Sequence, residues 1–225
     1  MTDIINDPIF GFTLSVAAYT AALLIKRRFN YTILNPLVVC SLIIIAVLLV
    51  FKIPLKSYMV GANFIYMFLA PATAALAVSM YRQIDTIKKN LVPILVGSVV
   101  GATSALLSIF IMCKIFNMSP EITASLLPKS ITTAFATKLS VQLGGFAPIT
   151  VAAVFVAGAT GAIGAPYFIK WFKIDNPIAS GLAIGASSHA LGTSKAIEIG
   201  EVEGTISGIA VGLCGILTVI IAIFL

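Results

Sequence analysis

Seven runs of apolar residues, at about 8–25, 34–51, 58–81, 91–114, 147–169, 178–199 and 204–225, take up nearly the whole chain. A bilayer-spanning helix needs about 20 mostly apolar residues. Backbone polar groups inside hydrocarbon are satisfied only in helices or closed barrels. With 60% of its residues hydrophobic and 10% charged, the chain reads as an all-α integral membrane protein in one membrane domain, 1–225. The segments 1–33 would form a leading helix, 34–115 a first repeat and 147–225 a second.

The stretch 119–145 breaks the pattern. It carries Glu121, Lys129, Lys138 and Gln142 among Ser and Thr, and Pro128 and Gly144–Gly145 interrupt it. Irregular polar backbone at membrane depth is tolerated only where it lines a cavity, so the expectation is a re-entrant hairpin beside about seven transmembrane helices. Charge agrees. With the N-terminus outside, Lys26, Arg27, Arg28, Arg82, Lys88, Lys89, Lys170 and Lys173 fall in inner loops, eight of the 14 basic residues. The outer loops then hold Lys52, Lys56 and Lys114 with Asp3, Asp7, Glu201 and Glu203, as the positive-inside rule requires.

A repeat is also legible. The triplet 34–51, 58–81, 91–114 is interrupted in its middle member at Leu69–Ala75, and the triplet 147–169, 178–199, 204–225 at Ser187–Thr193. Three crossings per triplet invert the second against the first. Paired interrupted helices in inverted repeats are the pattern of secondary transporters, whose site lies where the breaks meet.

Three polar clusters could carry the chemistry. In Leu127-Pro-Lys-Ser-Ile-Thr-Thr133, Pro128 would open a helix, placing Lys129, Ser130, Thr132 and Thr133 in its first turn. Free N–H groups and the dipole attract an anion there. The plainer role for Lys129 is snorkelling to the interface. The second cluster, Ser187, Ser188, His189, Thr193, Ser194 and Lys195, is bracketed by Gly185 and Gly192. His189 could carry a proton with a substrate, or simply tie two helices by one hydrogen bond. Asn63, Pro71 and Thr73 make a thinner third cluster. Lys195 and Glu198 stand at the i, i+3 spacing of a helical ion pair.

Other classes fall away. Ser–His adjacency without a GxSxG elbow or an orienting carboxylate argues against a serine hydrolase, and against an enzyme generally. One histidine and scattered Cys40, Cys113 and Cys214 make no metal set, and no cofactor motif is present. The basic residues form no patch with aromatics, so no nucleic-acid partner is expected.

The motifs Leu-Pro-Lys-Ser-Ile-Thr-Thr, Ala-Ser-Ser-His-Ala-Leu-Gly-Thr-Ser-Lys-Ala and Glu-Ile-Gly-Glu-Val-Glu-Gly, with Phe68-Leu-Ala-Pro-Ala-Thr-Ala-Ala-Leu-Ala-Val78, resemble the LrgB/CidB family of bacterial membrane proteins from about Asn35 to Leu225. Ala134–Phe135 departs from the Pro and small aliphatic residue expected there. The resemblance implies a multi-pass protein of the bacterial cytoplasmic membrane, and two functions. Some family members are described as holin-like or antiholin-like, controlling murein hydrolase activity and lysis with a small LrgA/CidA partner. Others resemble carriers of small carboxylates, among them the chloroplast glycolate/glycerate translocator. Two broken helices with Lys129 and His189 between them favour a monocarboxylate carrier. Its donors would be Ser130, Thr132, Thr133, Ser188 and Thr193, with Lys195, Pro71, Thr73 and Asn63 nearby. Proton coupling and a homodimer complete the expectation.

Overall fold

The structure, a computed structural model, describes residues 7–29, 34–222 and 224. It comprises two compact units, Met1–Ala77 and Val78–Leu225.

In the first unit, α1 (Pro8–Phe29), α2 (Pro36–Val50) and α3 (Leu55–Tyr66) form in turn, and α4 (Leu69–Arg82) begins. Pro36 opens α2, where a missing N–H leaves no bond unmade, and Asn35 Oδ1 accepts from Leu37 N–H at 2.9 Å to cap it. Helices α1 and α3 run antiparallel. Gly11 meets Gly61, and Ser15 Oγ lies 2.8 Å from the Tyr58 hydroxyl. The middle apolar run is interrupted at Met67–Phe68, not at Leu69–Ala75. Pro71 sits within the first turn of α4, where it lacks only a donor that has no helical partner anyway.

The second unit holds α5 (Ile84–Lys89), α6 (Leu91–Ile115), α7 (Pro120–Leu126), a 3-10 turn (Leu127–Ser130), α8 (Thr133–Gln142), α9 (Ala147–Trp171), α10 (Pro177–Ile199) and α11 (Glu201–Ala222). By length and composition α1, α6, α9 and α11 could cross a membrane.

The contacts of α10 show that it does not run straight. Gly181 and Gly185 abut Glu203 and Ser207, so 177–188 runs parallel to α11; Ile197 and Thr193 meet Gly204 and Ser207, so 190–199 runs antiparallel to it. Between the arms His189 takes φ 41°, ψ −141°. A Cβ at Gly192 would lie 2.5 Å from that of Ser188, and Gly192 comes so near Ile184 that the same Cβ would lie 3.2 Å from the Ile184 carbonyl oxygen. In a continuous helix Gly192 and Ile184 would stand about 12 Å apart along the axis. The segment 178–199, read from sequence as a span, is therefore a helical hairpin. Glu201 consequently lies at the end where Gln83 sits, 3.4 Å from its Nε2, and not at the opposite end where the charge pattern had put it.

The segment 119–145 folds back as well. Running from Pro120 to Ser130, it returns along α6. Then α8 packs antiparallel on α9, with Ser140 Oγ 2.7 Å from Thr150 Oγ1 and Ala136 clustered with Val154. Phe146 N–H donates to Ser125 Oγ at 2.7 Å, joining the two ends of the excursion. Ten residues of α8 rise about 15 Å, half a bilayer core. The helix opens at Thr133 and not at Pro128, since Pro128 takes ψ 18° and Ile131 is extended. Lys129 and Ser130 therefore precede the break, and Thr132 takes the N-cap position.

Helix-plus-hairpin thus occurs twice in this unit. Phe116 and Phe172 end α6 and α9 with nearly the same dihedrals (φ −87°, ψ 8°; φ −84°, ψ 2°). Asn117 and Lys173 follow in the left-handed region at φ 48° and 51°. Ser119 and Asn176 then cap α7 and α10 ahead of Pro120 and Pro177. Gly97 meets Leu182 and Gly101 meets Ala186, so α6 is parallel to the first arm of α10. Helix α9 is antiparallel to that arm, with Ala165 packed near Ile184 and Gly161 against Ser188. The two helix–hairpin units therefore point in opposite directions, and their tips approach each other from opposite ends.

Candidate functional site

Both tips reach Val154 in the middle of α9. Ile131 packs on its side chain in one buried cluster. His189 Nε2–H donates to its carbonyl at 2.8 Å, the direction a carbonyl dictates. Hairpin tips can come this close because α9 presents Gly158 to the imidazole and Gly161 to Ser188; a Cβ at 158 would lie 2.5 Å from His189 Cε1.

Lys129 projects between these elements. It lines a cavity of about 640 Å³ bounded by α6 and the first arm of α10. It also lines a second of about 610 Å³ bounded by α9 and the other side of that arm. Lys129, Ala183 and Ser187 are common to both. The cavities flank the arm, extending from Lys129 toward the end that carries Lys88, Lys89, Lys170 and Lys173, called here the basic end. Hydroxyls stud the walls: Ser104, Ser108 and Ser130 in one, Thr160, Ser180 and Ser188 in the other, Ser187 in both. Ser187 Oγ and Ser188 Oγ are 2.8 Å apart, and Lys129 Nζ donates to Ser130 Oγ at 3.3 Å.

Among the described residues no carboxylate pairs with Lys129. Lys129 stands beside the central turns of α6 and α9 and the first arm of α10. An unpaired charge among membrane helices is costly unless it faces a wet cavity or a counter-ion. What the arrangement can do chemically is hold one small anion, with Nζ as the charge and hydroxyls as further donors.

The residues singled out from the sequence divide clearly. Lys129, Ser130 and Ser188 come together at the cavities. His189, 4% exposed, lies behind them and borders neither. Its ring joins α10 to α9 through the Val154 carbonyl, and its own carbonyl accepts from Thr193 Oγ1 at 3.0 Å. Thr193 bonds Ser207 at 2.8 Å, away from the cavities. Thr132 and Thr133 flank the start of α8 and line neither cavity. Lys195 pairs with Glu198 at 2.8 Å, as its spacing suggested. Asn63 and Pro71 belong to the first unit and are exposed, and the side chain of Thr73 lies outside the described residues. Ser104, Ser108 and Thr160 were not anticipated. Each bonds a carbonyl of its own helix, so no motif marks them. At the opposite end the Ser119 hydroxyl, and then the backbone N–H of Glu121, hold the Glu121 carboxyl below the usual range.

A multi-pass helical architecture with opposed polar hairpins around one lysine is a membrane-protein design, and the sequence places it in a family. Residues 15–225 match the LrgB-like family, and the chain belongs to it. It is 40% identical over 204 residues to the uncharacterized protein YxaC of Bacillus subtilis, covering 91% of this chain and 89% of that one. It is 38% identical over 216 residues to the antiholin-like protein LrgB of Bacillus cereus, covering 95% and 94%, and equally to a protein of that name from Bacillus anthracis. No solved structure matches.

Proposed function

We propose that this LrgB-family protein does antiholin-like work through a passage for small monocarboxylates of the pyruvate, glycolate, glycerate or lactate class. The antiholin-like part is supported by the name carried by relatives of near-equal length at 38% identity. It brings with it an LrgA/CidA-type partner in the bacterial cytoplasmic membrane and an effect on lysis. The passage is supported by one observation above others: Lys129 has no counter-charge among the described residues and stands where two cavities meet, between hairpins of opposite direction. A protein that only modulated a partner would have no need of that ammonium there. The positive-inside rule supports basic-end loops in the cytoplasm and, from Lys26, Arg27 and Arg28 in the last turn of α1, an outer N-terminus. An effect on lysis would follow from altered carboxylate flux.

Uptake of labelled pyruvate, glycolate and lactate into proteoliposomes of the purified protein tests the carrier. Lys129→Ala removes the charge, and losing one partner of a desolvated charge–anion contact costs ~2–5 kcal/mol, roughly 30-fold to several-thousand-fold in affinity. Uptake should be lost while the variant still inserts. Normal uptake by Lys129→Ala, with association to the LrgA/CidA-type partner abolished, would leave the antiholin-like reading standing alone.

A further inference from the structure

A third cavity, of about 410 Å³, lies at the opposite end of the second unit, alongside α7. Its position is the one that the repeat dictates. Cys113 on α6 stands where Ile169 stands on α9, counting back from the matched Phe116 and Phe172. Thr123 on α7 and Leu127 at the start of the 3-10 turn stand where Ser180 and Ile184 stand on α10, counting forward from the matched Pro120 and Pro177. Cys113, Thr123 and Leu127 line the far cavity, and Ile169, Ser180 and Ile184 line the basic-end cavity between α9 and α10. The two are counterparts, each lying between a long helix and the first arm of its own hairpin.

They differ in where they stop. The basic-end cavity continues to Lys129, whereas the far one reaches Leu127, 9% exposed, and not Lys129; Pro128 between them is fully buried. Leu127 is separated from Lys129 by that one proline. We infer that the far cavity is the second mouth of the passage and that Leu127 is the plug closing it from Lys129 in this conformation. The carrier reading underlies the inference, but the mouth and plug can be observed without any transport. An ammonium reachable from one end while a bulky apolar side chain blocks the other is the half-cycle that alternating access needs. Antiparallel helix–hairpin units supply the other half when the two exchange conformations.

Thiol accessibility tests it in the full-length protein with Cys40, Cys113 and Cys214 replaced by serine. A membrane-impermeant charged thiol reagent is applied to one face at a time. Thr123→Cys, in the mouth, should react from the far face. Ser130→Cys, beyond the plug, should react mainly from the basic face. Adding Leu127→Ala to Ser130→Cys should raise the far-face rate roughly tenfold and leave the basic-face rate unchanged, the latter reporting an intact fold. Leu127→Met, which keeps a long apolar side chain, should restore the low far-face rate. A Thr123→Cys thiol unreactive from the far face overturns the mouth. An unchanged far-face rate in Leu127→Ala overturns the plug. Absence of carboxylate uptake with these labelling results intact would instead count against the carrier.

Discussion

His189 holds a backbone conformation, φ 41° and ψ −141°, that a residue with a side chain rarely adopts. Strain of that kind costs of order 1–3 kcal/mol. The bond from Nε2 to the Val154 carbonyl and the capping of the His189 carbonyl by Thr193 hold it in place. Two substitutions separate backbone from side chain. His189→Ala loses the hydrogen bond and keeps the strain, while His189→Gly loses the same bond and relieves it. Thermal unfolding in detergent should therefore find the glycine variant the more stable by roughly 1–3 kcal/mol, against the usual order in helices. If alanine is the more stable, the left-handed conformation is not what the site demands. Lys129 differs from His189 in kind. The histidine acts through Val154, and the lysine faces the open volume, so a pH-dependent uptake should not vanish with His189 alone.

At the scale of elements, the two hairpins are where sequence and structure part. Apolar length located every long helix to within a few residues, and the polar interruptions at Pro128 and His189 were both visible. Direction was not. An apolar run of 178–199 is long enough to cross, and hydropathy gives the same reading for one straight helix as for two short arms folded together. What decides between them is tertiary: the Gly181 and Gly185 contacts with α11, the missing Cβ at Gly192, and Ala196 lying in one buried cluster with Ile184. The hairpin of 119–145 was legible because its charges and glycines ruled out a span. The site was legible in part for the same reason. Lysine and clustered serines stand out against alanine, whereas lone hydroxyls such as Thr160, bonded to their own helix, do not. A disulfide tests the fold-back. In a protein whose native cysteines are replaced, Ile184→Cys and Ala196→Cys should cross-link under mild oxidation. Along a continuous helix they would be about 18 Å apart, far beyond the reach of a disulfide, and would remain reduced.

Across the whole molecule, folding 177–199 back on itself changes which loops share a face. The beginning of α11, with Glu201 and Glu203, joins Lys88, Lys89, Lys170 and Lys173 at the basic end. Acidic residues weigh little in setting orientation, so the charge argument for the basic loops is unaffected. Cysteines introduced beside Lys88, Lys173 and Glu201 should all react with an impermeant reagent from one and the same side in oriented vesicles. Reaction of the Glu201 site from the opposite side would restore 178–199 as a span.

The bond between Phe146 and Ser125, and the contacts of Thr193 and Ile197 with Ser207 and Gly204, share a property that concerns synthesis more than function. In each case the anchoring residue is made after the hairpin it anchors. A ribosome delivering this chain into a membrane releases Lys129 before α9 exists to receive Ile131, and His189 before α11 exists to hold the second arm. Neither polar tip has a favourable place in lipid on its own. Each must remain at the surface, or in the protected interior of the insertion machinery, until the next long helix arrives. Each hairpin of the second unit thus settles only after the long helix that follows it has been made.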